Sequence, residues 1–177
     1  AVGNGVDAEY FQPDAARTSP FRDGERALVF TGAMDYWPNV DAVCWFVDAV
    51  LPLLHQRWPE LRLHIVGRSP TSEVQALAGD AVCVTGTVPD VRPYLQHAAV
   101  VVAPLRLARG VQNEVLEAMA MARPVVAAAS CVEAIEARPG QDILAATDAA
   151  EHAECIAELL VDRPRATAIG QAGRHHQ

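Results

Sequence analysis

ALVFTG, residues Ala27–Gly32, is a short apolar run closed by glycine, and the same pattern returns in LRLHIVG (61–67), DAVCVTG (80–86), AAVVVAP (98–104), RPVVAAA (123–129) and QDILAAT (141–147). The runs are nearly continuous rather than alternating in polarity, which suits strands of a parallel sheet covered on both faces. Segments of helical period lie between them. From Asn39 to Arg57, residues Val43, Phe46, Val47, Val50, Leu51 and Leu54 recur at three- and four-residue steps and draw one apolar stripe, which predicts one helix. VPDVRPYLQHA, GVQNEVLEAMAMA and DAAEHAECIAELLVD behave in the same way, and Asp148 is placed to cap the last of these. Strands alternating with helices predict an α/β fold, a doubly wound Rossmann-like parallel sheet of about six strands with right-handed crossovers.

Composition limits what such a domain does. A chain of 177 residues, 51% of them apolar, can bury one sizeable core. Its 22 acidic residues against 14 basic ones give a net charge of -8, which argues against a phosphate-backbone surface and hence against a nucleic-acid partner. Cys44, Cys83, Cys131 and Cys155 form no C-x-x-C pair, so a reduced, cytoplasmic chain is expected, without zinc or a redox motif. No apolar stretch nears the roughly 20 residues of a membrane span. The turn-rich opening without Met and the polar end GRHHQ suggest a piece of a longer protein, ending in a tail.

Ligands of doubly wound sheets bind beyond the carboxyl ends of the strands. Function is therefore to be sought in TGAMDYWPN, VGRSPTSE, TGTVPDVRP and APLRLARGVQN. In the last of these, Gly110 precedes a helix expected to begin near Val111, whose free amides and dipole make an anion site. Arg106 and Arg109 would add charge-assisted contacts to a phosphate; an ordinary loop with solvated arginines is the other reading of the same residues. Asn113 and Glu117 share a helix face. Glu117 sits among Leu116, Ala118, Met119 and Ala120, where a carboxylate needs a partner: a vicinal diol such as ribose, or a neighbouring Arg. Glu114 reads as a first-turn charge favoured by the helix dipole.

GNGVDAEYFQP, FTGAMDYWPNVDAVCWF, LHIVGRSP, VTGTVPDVRPYLQHAAVVVAPL and GVQNEVLEAMAMARPVV, in this order, resemble the carboxyl-terminal half of family 4 (group 1) retaining glycosyltransferases. The likeness is strongest to the subset found in exopolysaccharide clusters. That resemblance implies one half of a GT-B fold, in which two Rossmann-like domains face each other across a cleft. Residues 1–26 would then be the interdomain crossover and 27–177 the nucleotide-sugar-binding domain, with the acceptor domain preceding Ala1.

The resemblance also implies roles for individual residues. Glu117 matches the second glutamate of the family's E-x7-E signature and would hold the donor ribose. Backbone at Val88 and Pro89 would read the base. Gly110, Val111 and Gln112 match the turn whose amides meet the diphosphate, with Asn113, on the Glu117 face, counted among the donor-binding residues. Gly67 and Arg68 match the strand end lining the cleft, and Gly32, Ala33 and Met34 the first glycine loop near the phosphates. The first glutamate of E-x7-E falls on Arg109. The Arg and Lys common in the first loop are missing, and a basic residue is often found where Glu114 stands. The phosphate charge would be met by Arg109, Arg106, Arg68 or helix amides, which makes Arg109 the candidate catalytic residue.

The expected activity is hexosyltransferase-like transfer from a nucleotide diphosphate sugar, with retention, to a glycan or lipid-linked acceptor. The cofactor set is empty apart from the donor substrate, and no metal is expected. A fragment lacking the acceptor domain is expected to be inactive. The whole enzyme is expected in the cytoplasm, with peripheral contact to the inner face of the membrane through the missing half. A nucleotide-sugar epimerase of GT-B architecture and a non-catalytic nucleotide- or partner-binding module are the alternatives. His55, His64, His97 and His152 have no ligand spacing and read as structural or solvated. Tyr36, Trp37, Tyr94 and Asp35 are minor candidates for stacking on, or bonding to, a base or sugar.

Overall fold

A computed structural model describes residues 6–108 and 110–176. It contains a six-stranded, all-parallel sheet, with β1 (Ala27–Thr31), β2 (Arg62–Val66), β3 (Val82–Gly86), β4 (Val100–Ala103), β5 (Val125–Ala128) and β6 (Leu144–Ala146) in the order β3-β2-β1-β4-β5-β6. The order reverses between β1 and β4, the switch point at which strand-to-helix loops diverge and leave a crevice. β1 pairs with β2 in register from Ala27 opposite Arg62 to Thr31 opposite Val66. The first, second, fourth and fifth strands are buried almost throughout, which explains why their sequences do not alternate.

The helix expected over Asn39–Arg57 runs from Trp37 to His55 and is interrupted. Its first part is α1 (Trp37–Trp45), its last α2 (Leu51–His55), and Phe46–Val50 between them winds as a π-turn. Pro52 supplies the reason. It has no N–H to donate and its ring crowds the carbonyl four residues back, so the chain widens and Leu51 N–H donates to the Phe46 carbonyl, five residues back. With 19 residues and a mean hydropathy of 1.2, this helix could cross a membrane by length and composition. Its stripe of Val40, Val43, Phe46, Val50 and Leu54 lies in the same buried cluster as the strands, as befits a core helix.

The remaining helices are α3 (Ser72–Gln75), α4 (Arg92–Gln96), α5 (Asn113–Ala120), α6 (Ala129–Ala134), α7 (Ala149–Val161) and α8 (Arg163–His176). Asp148 caps α7 by accepting from the Glu151 amide at 2.8 Å, as its position in the sequence suggested. Helix α4 is only a single turn of the longer segment expected, because the preceding residues form the loop at the cleft. The polar end expected to be a tail is instead helical. Small residues of α8 let it lie close against the chain: a Cβ at Gly170 would stand 2.2 Å from the Ala122 carbonyl oxygen.

The segment before β1 is bound to this body at several places. Arg174 donates to the carbonyls of Phe11, at 2.9 Å, and Ala8, at 3.2 Å. Gln96 of α4 donates to the Asp14 carbonyl at 2.7 Å. His64, buried in β2, meets the Glu25 carboxylate at 2.5 Å, with the Phe21 ring 4.5 Å from its own.

Candidate functional site

A cleft of about 320 Å3 opens at the carboxyl ends of β1, β2 and β3, walled on one side by α5. Glycine makes its floor. Gly32 and Gly67 end β1 and β2, and a Cβ on Gly67 would fall 1.7 Å from the Gly32 carbonyl oxygen, so no other residue fits between the two loops. Gly32 N–H donates to the Val66 carbonyl at 3.0 Å. Buried Asn39 donates to the Ala33 carbonyl at 2.9 Å and fixes the loop from below. Thr31, Ala33, Val66, Thr87, Val88 and Val91 complete the floor and far wall.

Two carboxylates stand on the α5 wall. Glu114 and Glu117 both line the cleft, three residues apart on one helix face, and neither side chain has a hydrogen-bond or ion-pair partner on another of the described residues. Burial pushes the Glu117 carboxyl up to about 7, with a further contribution from Glu114. Burial also raises Glu114, against the lowering effect of its own backbone amide. Glu114 was read from sequence as a first-turn charge; the structure turns it into the cleft beside Glu117. The signal was there to find, since positions 114 and 117 fall on one face at helical spacing.

The other sequence candidates divide. Arg68 lines the cleft, and its side chain, 63% exposed, reaches the exposed Asp35 at 3.5 Å. Val88 lines it too, whereas Pro89 is exposed outside the lining. Gly110 has φ +74 and begins the approach to α5, which starts at Asn113, two residues later than expected, with Gln112 in the capping position. Val111 and Asn113 are exposed there, while Gln112 is buried and donates to the Gly110 carbonyl at 3.3 Å.

Met34 and Arg106 are occupied elsewhere. The Met34 side chain is fully buried in the core and its amide donates to the Arg68 carbonyl at 2.8 Å, so Met34 shapes the loop without facing the cleft. Arg106 donates to both oxygens of Asp41, at 3.2 and 2.8 Å, with its guanidinium 4.8 Å from the centre of the Trp45 ring. Position 109 lies outside the described residues. Asp90 and Arg92, beside Val88, form a closed two-point pair, and Arg92 lies over the Tyr10 ring at 3.8 Å. Among the described residues no group of three or more His, Cys, Asp or Glu is placed to hold a metal ion.

A wider hollow of about 430 Å3 lies at the amino ends of β1 and β2, beside Trp58, Arg26 and Arg62. Arg62 there is engaged by the Asp80 carbonyl and by Glu25. The hollow lies at the wrong end of the strands for an α/β ligand site.

Fold and cleft define a Rossmann-like domain with a glycine-floored crevice at the switch point of its sheet. The family model described as glycosyl transferases, group 1, matches residues 25–162, and the chain belongs to that family. No curated protein matches the chain. Among solved structures it is similar to sucrose-phosphate synthase from Thermosynechococcus elongatus, at 23% identity and TM-score 0.77, covering 97% of this chain and 46% of that one. It is likewise similar to Anabaena HepE in complex with UDP, at 16% identity and TM-score 0.79, covering 97% and 50%. The C-terminal domain of a group 1 glycosyl transferase, LpcC from Francisella tularensis, matches at 15% identity and TM-score 0.70 over 97% and 96%. The chain thus spans about half the length of the first two and nearly all of the isolated C-terminal domain.

Proposed function

We propose that the chain is the donor-binding half of a retaining glycosyltransferase, taking a nucleotide diphosphate sugar into the cleft below α5. One observation carries this reading: in a group 1 glycosyl transferase domain, the half-buried Glu117 faces a glycine-floored cleft with no protein partner among the described residues. A carboxylate so placed suits the two hydroxyls of a ribose, which would donate the hydrogen bonds it lacks. The amides at the start of α5 then lie toward the diphosphate, where their dipole supports the charge of the leaving group. UDP bound to HepE and glucose bound with it in a second complex support a nucleotide-sugar ligand for this fold.

On this reading residues 27–177 are the donor domain and 1–26 the crossover to an acceptor domain carried by another part of the same protein. The acceptor is a glycan or lipid-linked glycan of exopolysaccharide synthesis, and the enzyme works in the cytoplasm. Arg109 supplies a cation to the diphosphate. Calorimetry of the 177-residue chain with UDP, GDP and ADP tests the reading. Binding of one of them is expected, without sugar transfer by the chain alone. No binding of any would favour a non-catalytic interaction module, a reading that the shortage of cations among the described cleft-lining residues supports.

A further inference from the structure

The cleft proposed for the donor diphosphate is poor in positive charge. Of its described lining residues only Arg68 is basic, and Arg68 already faces Asp35. Glu114 stands in the first turn of α5, nearer than Glu117 to the helix start that would receive the phosphates. Among the described residues the remaining charged groups around the cleft do not offset it, since Asp90 is closed on Arg92 and Arg106 on Asp41. The single cation proposed for Arg109 would match only one of the charges on the diphosphate. The loop after β3 contributes only Thr87, Val88 and Val91 to the lining, none of which titrates.

A nucleotide diphosphate sugar would therefore bring two negative charges against two carboxylates on one wall. Unit charges a few ångströms apart at a protein surface repel by several kcal/mol. Protonating one carboxylate removes most of that repulsion. It cannot be Glu117 if that residue is to accept from both ribose hydroxyls, so the proton belongs on Glu114. There the acid can also donate a hydrogen bond to a phosphate oxygen. Burial raises both carboxyls, Glu117 up to about 7 with the Glu114 charge adding to it, so the free cleft favours one proton on Glu117. The ribose hydroxyls, which need an ionised Glu117, would leave that proton to Glu114.

Resting on the proposed donor site, we infer that Glu114 is a charge-selecting residue of the cleft: it admits the donor diphosphate only together with one proton, taken from solvent and held on Glu114. The site then discriminates ligands by the charge they carry at the phosphates, and its affinity falls as the medium becomes alkaline.

Isothermal titration of the chain at pH 8 in buffers of different ionisation enthalpy counts the protons directly. UDP-glucose, GDP-mannose and ADP-glucose serve as probes, since none has a phosphate that titrates near neutrality. Close to one proton is expected to enter with the donor that binds. Glu114→Gln should reduce this count toward zero and tighten binding at pH 8 by about tenfold, while a thermal melt matching the parent shows the variant folded. Binding without proton uptake, or equal uptake by parent and variant, would overturn the role of Glu114 and leave the donor site standing. Failure of all three sugars to bind would overturn the donor site itself, and this inference with it.

Discussion

Gly67 and Gly32 pass so close that a Cβ on Gly67 would lie 1.7 Å from the Gly32 carbonyl oxygen, inside any van der Waals contact. The obstacle is backbone, which cannot rotate aside as a flexible side chain can. Gly67→Ala must therefore push apart the two loops that form the cleft floor. A loss of stability on the order of 3 kcal/mol is expected from such overpacking, together with loss of nucleotide binding, read by denaturant unfolding and calorimetry. A variant as stable as the parent and with full affinity would show that the floor is not so tightly built.

The packing of α8 makes a second sharp case. Gly170 lies where a Cβ would stand 2.2 Å from the Ala122 carbonyl oxygen and 2.9 Å from its carbon. Alanine in a helix is better than glycine by about 1 kcal/mol, but a backbone clash of this kind costs about 2–3 kcal/mol. Gly170→Ala should therefore destabilise by about 1–2 kcal/mol, seen as a lowered urea midpoint. A raised midpoint would mean that α8 can slide away at little cost.

Glu117 can be tested against the ligand group it is proposed to hold. With the parent chain, UDP should bind about tenfold or more tightly than 2′,3′-dideoxy-UDP, since removing the hydroxyls strands a half-buried carboxylate. With Glu117→Ala the two nucleotides should bind alike, because the pair of changes acts on one interaction. A dideoxy penalty that survives in the variant would place the ribose elsewhere.

Sheet and helix alternation were legible in the sequence because both depend on pattern. The runs at 27–32 and 123–129 are apolar on both faces, and burial on both faces is what they acquire. The π-turn was missed because periodicity places residues on a helix face without registering that Pro52 lacks a donor. Glu117 was found through its apolar neighbours, and Glu114, one turn away on the same face, was passed over because a first-turn acid has a sufficient local explanation in the helix dipole. Arg106 illustrates the opposite error. Its place beside Gly110 suggested an anion, but Asp41 and Trp45, some sixty residues earlier in the chain, hold it. A local pattern cannot reveal a partner that distant.

Arg106 therefore carries a prediction of its own. Arg106→Ala removes an exposed pair with Asp41 and the cover over Trp45, which should cost about 1 kcal/mol of stability. Nucleotide affinity should change less than twofold, because the guanidinium is directed at α1 and not at the cleft. Calorimetry and urea unfolding on the same preparation separate the two effects. A large loss of affinity at unchanged stability would return Arg106 to the phosphate.

The acid limb of stability is set in part by His152. Its side chain is buried on α7, its ring centre 5.4 Å from that of Trp45, and Nδ1 has no partner among the described residues. Burial lowers its pKa from 6.5 to about 4, opposed by Glu151 and Asp148. The folded chain thus keeps the ring neutral where the unfolded chain protonates it. Its stability contribution is complete above pH 6.5 and is lost as pH falls from there toward 4. By pH 5 the loss should reach about 2 kcal/mol, at about 1.4 kcal/mol for each pH unit below 6.5. His152→Leu keeps an apolar side chain against Trp45 and removes the titration. Urea unfolding at pH 7 and pH 5 should show the parent losing about 2 kcal/mol more than the variant between the two conditions. Equal losses in both would place the acid sensitivity of the fold on other groups.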